Sequence, residues 1–153
     1  MRRFPRLSAF VALDPEERGL FIASWMLAAP VSVALSIAGF RRTTGALAHV
    51  SRLARPARER SAMDVVRAEI LVRRAFRWSP ARWHVRGGGC LPQSIVQYAL
   101  QTLAGDPVRL VVGVPPSPGA ASVEDFEAHA WVEERGQRRA DVKHTIIFEL
   151  PRP

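Results

Sequence analysis

Cys90 is the single cysteine in a chain of 153 residues, and it stands in "GGGCLPQS", directly after three glycines, at what reads as the first turn of a helix. Thiolate is the reactive form of cysteine, and a helix start favours negative charge, so the position biases this thiol toward nucleophilic work. The glycines let a substrate backbone approach closely and leave amide donors free to meet an oxyanion. A cysteine nucleophile also needs a base to take its proton and a third group to hold that base. His129 in "EAHAWVE" and Asp141 in "RRADVKH" offer both types on strand-like sequence. In those roles Cys90 attacks a carbonyl carbon, His129 acts first as base and then as acid to the leaving group, and Asp141 fixes the tautomer of the imidazole.

Each residue has a plainer reading beside this one. Free cysteine is among the most buried residue types, a strand histidine is more often hydrogen-bonded structure, and Asp141 alone is an ordinary solvated strand residue. Among the other histidines, His84 is nearest to Cys90 in sequence but sits in a basic loop, His144 is a weaker competitor on the final strand, and His49 reads as a surface residue of a basic connector. One cysteine and four scattered histidines show no metal-ligand pair such as C-x-x-C or H-x-x-x-H. No P-loop or dinucleotide fingerprint is present either, so no cofactor is expected.

The elements that must position these residues follow from local pattern. "LDPEERGLF" is a helix start, with Asp14 as cap, Pro15 at the first helical position and Glu17 completing a capping box. Leu20 to Phe40 is an uncharged, mostly apolar run just long enough to cross a bilayer. Pro30 divides it, which favours two kinked or separate helices packed on the domain over a membrane span. Glu16 and Glu17 just before the run argue against a cleaved signal peptide. A basic connector around Pro56 leads to a second capping pattern, Ser61 with Asp64, and an amphipathic helix with Val65, Val66, Ala68, Ile70, Leu71, Ala75 and Phe76 on its apolar face. "CLPQSIVQYALQTLAG" is the cysteine helix, with Leu91, Ile95, Ala99 and Leu103 as its expected apolar stripe and Gly105 as its stop.

From Pro107 the period changes to that of strands. "VRLVVGV" reads as a short buried strand, and "AHAWVE" alternates Ala128, Ala130 and Val132 with His129, Trp131 and Glu133. "RGQ" reads as a hairpin turn, with "RRADVKHTIIFEL" returning as the partner strand, which would bring Asp141 close to facing His129. Helices followed by an antiparallel sheet make an α+β fold. Residues 1–60 read as an N-terminal helical segment and 61–153 as the domain that carries the cysteine.

Composition sets the limits. With 48% apolar and 24% charged residues a globular core can form, and a single cysteine excludes an internal disulfide. The formal charge of +8 is almost wholly arginine, Lys143 being the one lysine. The basic residues are spread out and not interleaved with aromatics, so no nucleic-acid partner is expected.

"CLPQSIVQYALQTLAGDPVRLVVGV" followed by "EAHAWVEERGQRRAD" resembles the transglutaminase-like cysteine peptidase of lasso-peptide biosynthesis, the stand-alone leader peptidase related to the B protein of microcin processing. The resemblance implies a transglutaminase- or papain-like core in which a cysteine helix packs on a small sheet, with Cys90, His129 and Asp141 as the catalytic triad. It further implies removal of a leader from a ribosomally made precursor peptide, a separate leader-binding protein acting in trans, and a lasso cyclase that acts next. Gly89, Leu91 and Trp131 are the expected substrate contacts. The expected location is the cytoplasm, with peripheral association at the inner membrane face. A transamidase using the same residues, or a membrane-associated scaffold without catalysis, are the alternatives left open.

Overall fold

Asp14 and Glu17 exchange hydrogen bonds across the first turn of the longest helix. The Glu17 amide donates to Asp14 Oδ1 at 2.8 Å, and the Asp14 amide to Glu17 Oε2 at 3.2 Å. This reciprocal pair is the capping box expected from the sequence, and it opens α1, Pro15–Leu53. The computed structural model describes residues 9–53, 63–79, 89–115, 128–137 and 144–150. Over these the chain continues through α2, Val65–Trp78, and α3, Cys90–Ala104, to β1, Val108–Val114, β2, His129–Glu134, and β3, Thr145–Leu150. The strands form a three-stranded antiparallel sheet, which bears out the α+β expectation.

α1 departs from expectation in where it breaks. The helix runs through Pro30, on an exposed side, and loses helical geometry at Gly39, whose φ of 73° and ψ of 171° suit glycine. Ser24, Ser32 and Ser36 donate to the carbonyls of Leu20, Ala28 and Ser32, so the apolar helix carries its polar residues without orphaned hydroxyls. One side packs on the other helices: Phe21 meets Leu71 and Ala75, and Ala28 meets Val72, Phe76 and Val96. Glu17 also pairs with Arg67 of α2. The outer side leaves Ile22, Met26, Val33 and Ile37 exposed. The stretch Pro15–Leu47 is long and apolar enough to cross a membrane, with a window of mean hydropathy 2.0 that is 22% buried.

α2 is capped by Asp64, whose side chain accepts from the Val66 amide at 3.2 Å; Ser61 lies outside the described residues. Its buried face is Ala68, Leu71, Val72, Ala75 and Phe76. Val66 and Ile70, expected on that face, are 49% and 54% exposed, because the three-and-four spacing centred on residues 68, 72 and 75 places them on the outer side. α3 is likewise rotated from the expected stripe. Ile95 is fully buried but Leu103 is 51% exposed, and Ser94, Gln97, Tyr98 and Gln101 face inward. Gly105 closes the helix at φ 94°, with the Asp106 amide donating to Gln101 O at 2.9 Å.

The strand order is β2-β1-β3, not the β2–β3 hairpin that the sequence suggested. β1 lies between, and Leu110 pairs with Val132 on one side and Leu150 on the other. Its run Leu110, Val111, Val112 is buried on both faces, and such a strand belongs at the centre of a sheet. A turn does follow β2, with Gly136 at φ 87°, but residues 138–143 beyond it lie outside the described residues. Leu110, Val132 and Leu150 pack with Ile95 and Tyr98 of α3 to form the main core.

This rotation of α3 gives a stability test. Leu110→Ala should lower the unfolding free energy by about 3 kcal/mol, and Leu103→Ala by less than about 0.5 kcal/mol, in urea titrations of the full chain. Equal losses would restore the stripe through Leu103.

Candidate active site

Gly89 is the N-cap of α3 and offers no side-chain cap, and Cys90 is the first residue of the helix. The Gln93 amide donates to Gly89 O at 3.3 Å, and Pro92 has no N–H to give. Of the donors orphaned at this helix start, the amides of Cys90 and Leu91 remain, and no capping side chain takes them among the described residues. The half-buried thiol lies 3.8 Å from the carbonyl oxygen of Ala128. One turn on, the Ser94 hydroxyl donates to the carbonyl of Ala130 at 2.8 Å.

These two contacts lay the helix along the edge of β2. Four residues of helix rise about 6 Å and two residues of strand about 6.6 Å, so residues 90 and 94 keep step with residues 128 and 130. β2 pairs with β1 on its other side, so α3 covers the edge that would otherwise offer unpaired carbonyls. The thiol is thereby held against the residue that precedes His129.

The same face of α3 continues inward as a polar stripe. Gln97 Nε2 donates to Val65 O at 2.9 Å and to Gln101 Oε1 at 3.1 Å, and Gln101 Nε2 donates to Met63 O at 3.2 Å. Cys90, Ser94, Gln97 and Gln101 thus tie the helix to β2 at one end and to the start of α2 at the other. Sequence reading looked for an apolar stripe and passed over this one, although polar residues at helical spacing inside a mostly apolar helix carried the signal.

His129, Trp131 and Glu133 share the sheet face opposite the Leu110–Val132–Leu150 core, since each pairs with an odd-numbered residue of β1. Trp131 Nε1 donates to Glu133 Oε1 at 2.7 Å. Arg109 of β1 donates to Glu133 Oε2 through Nε at 3.0 Å and Nη2 at 2.6 Å, and its Nη1 lies 3.7 Å from Glu149 of β3. Glu133 is only 4% exposed, so its charge stays buried because every bond it needs is met.

The structure therefore sets the Cys90 thiol against the carbonyl of Ala128, the residue before His129, with Gly89 and Leu91 next to Cys90 in the chain. Trp131 is 8% exposed with its N–H committed to Glu133. Asp141 and His84 lie outside the described residues. His144, set aside in the sequence, stands with its ring centroid 5.2 Å from that of His129. A small cavity of about 40 Å³ adjoins the thiol, lined by Cys90, Gln93, Ser94 and Trp131 with Glu69 and Arg73 of α2. A larger cavity of about 520 Å³ lies toward the other end of α3, among Leu20, Met63, Gln101 and Asp106, and carries no nucleophile. Burial there pushes the Asp106 carboxyl up from its ordinary range. No cluster of metal-ligating side chains occurs among the described residues.

Ser94→Ala removes the second of the two helix-to-strand bonds. It should cost about 1 kcal/mol in urea unfolding and slow iodoacetamide alkylation of Cys90 near neutral pH; unchanged alkylation would mean that Ser94 does not help to place the thiol.

Residues 25–145 match the family model described as Transglutaminase-like superfamily, a span that runs from within α1 through Cys90 and His129 to the start of β3. Comparisons with curated proteins and with solved structures gave no match.

Proposed function

Because the chain belongs to the transglutaminase-like superfamily, which includes cysteine peptidases and transamidases, we propose that it is a cysteine peptidase that removes the leader from a ribosomally made precursor peptide. The observation that carries this reading is the thiol on the first residue of α3, behind a glycine N-cap, hydrogen-bonded to the carbonyl of the residue before His129.

The mechanism assigns one role to each group. His129 takes the thiol proton, and the positive end of α3 favours the thiolate that results. The sulfur attacks the scissile carbonyl carbon and the carbonyl electron pair moves to oxygen, where the Cys90 amide, with the Leu91 amide beside it, donates hydrogen bonds. Collapse of this intermediate breaks the C–N bond, and the His129 imidazolium protonates the departing amine. Water, giving its proton to His129, then attacks the thioester and releases the leader acid, returning the thiolate. Asp141 orients the imidazole through both steps. Gly89 lets the substrate backbone come close to the thiol, and Leu91 with the small exposed part of Trp131 meets its side chains. The chemistry consumes no cofactor.

In this reading a leader-binding protein delivers the precursor in trans, and a lasso cyclase uses the amine that cleavage frees. The likeness of "CLPQSIVQYALQTLAGDPVRLVVGV" and "EAHAWVEERGQRRAD" to leader peptidases supports this assignment. Work at the cytoplasmic face of the inner membrane is supported by the exposed apolar side of α1, Ile22, Met26, Val33 and Ile37, followed by exposed Arg41 and Arg42. The chain should float with anionic liposomes, and Met26→Glu with Ile37→Glu should abolish flotation; a wild-type chain that stays at the bottom rules out the membrane location.

Mass spectrometry of the precursor, incubated with the chain and the leader-binding protein, tests the activity. Cleavage at one site with addition of one water, lost in Cys90→Ala and reduced by at least about a hundredfold in His129→Ala, is the expected result. Products joined to an added amine in place of water would make the enzyme a transamidase, and cleavage undiminished in Cys90→Ala would end the cysteine reading.

A further inference from the structure

β3 carries one extra residue where it meets β1. Leu110, Val111 and Val112 pair with Leu150, Glu149 and Phe148, but Gly113 then pairs with Ile146, so Ile147 is the unpaired residue of a bulge. Residues paired across a ladder share a face, and a bulge reverses the alternation beyond it. Without the extra residue, His144 would point to the core side with Phe148 and Leu150. With it, His144 joins His129 and Trp131 on the opposite side.

The ring contacts agree with this placement. His144 meets His129 at 5.2 Å between centroids with the planes at 82°, and it meets Trp131 at 5.7 Å with the planes at 58°. The floor beneath them is Gly113, where an added Cβ would lie 2.9 Å from His144 Cβ and 2.8 Å from Trp131 Cη2. Only glycine leaves room for both side chains. Trp131 is fixed in turn by its bond to Glu133, which Arg109 holds. His144 Nδ1 is buried and makes no hydrogen bond among the described residues, so ring packing sets the position of this side chain.

Resting on the peptidase reading, we propose that His144 is a positioning residue for His129: the bulge delivers its ring edge-to-face against the His129 imidazole, and with Trp131 it forms an aromatic wall that holds the base beside Cys90. An aromatic pair of this geometry favours one ring orientation. A base displaced by about an ångström takes the thiol proton far less effectively. The titratable groups of this face are His129 and Glu133 on β2, Arg109 on β1 and Glu149 on β3, and His129 alone of these is in ring contact with His144 among the described residues.

The test needs no natural substrate. The rate of Cys90 alkylation by iodoacetamide is measured against pH in the full-length protein, with folding followed by circular dichroism. In the wild type, alkylation at neutral pH should be faster than in His129→Ala, which lacks the proposed base. His144→Ala should likewise slow alkylation at neutral pH, on the order of tenfold. His144→Phe, which keeps a ring without nitrogen, should restore most of the rate, whereas His144→Asn, which keeps a polar atom near the Nδ1 position without a ring, should not. A His144→Ala profile equal to the wild type, or rescue by asparagine and not by phenylalanine, would overturn the proposal while leaving the Cys90–His129 pair standing. A wild-type profile identical to that of His129→Ala would instead remove the pair itself, and the role of His144 with it. Should His144→Ala fail to fold, the phenylalanine and asparagine variants still separate the two outcomes: a faster phenylalanine variant upholds the ring contact, and a faster asparagine variant overturns it.

Discussion

Two outward carbonyls on one edge strand govern the site. Ala128 and Ala130 belong to the β2 edge, whose other side is already paired with β1, and a bare sheet edge of this kind invites wrong pairing. α3 meets those carbonyls with Cys90 and Ser94, and the near equality of one helical turn and two strand residues lets both contacts form together. The thiol is therefore not simply a residue at a helix start. It is one of the two groups that seal the sheet, and its place against the residue before His129 follows from that packing.

The rest of the fold serves to keep α3 in this position. Gln97 and Gln101 anchor the middle and end of the helix to backbone carbonyls at the start of α2, and Ile95 and Tyr98 press its apolar side onto Leu110, Val132 and Leu150. α1 then packs against both α2 and α3 through Phe21, Ala28 and their neighbours. On the far face of the sheet the network of Arg109, Glu133, Glu149 and Trp131 spans all three strands. A buried ion pair of this kind adds little net stability compared with apolar packing. Its effect is geometric, because it fixes the indole that packs on His144.

Features set by residues close in sequence were legible from the sequence. The Asp14–Glu17 box, the left-handed stop at Gly105, and the alternation of β2 all rest on contacts within a few residues, and all are present in the structure. The α+β class followed from the change of period at Pro107. What escaped was set by distant partners. The break at Gly39 in place of Pro30 depends on which side of α1 faces solvent, and the polar stripe on α3 makes sense only once Val65 O, Met63 O and the edge of β2 are in place. The strand order turned on β1 being apolar on both faces, a clue available in "RLVV" but outweighed by the nearer turn at Gly136. The bulge at Ile147 left no local mark at all, and with strict alternation assumed His144 could not be placed beside His129. At the candidate site, the contact of Cys90 with the residue before His129 arises by a route the sequence only partly indicated.

If Cys90 forms a covalent bond to the carbonyl it attacks, intact-protein mass spectrometry of a rapidly acid-quenched reaction with the precursor peptide should capture it. The expected result is a transient species heavier than the chain by the mass of the leader less one water, with the leader mapped by fragmentation to Cys90 as a thioester labile to hydroxylamine. Cleavage that proceeds with Cys90 unmodified throughout, or with the leader attached to any other residue, would contradict nucleophilic attack by this thiol.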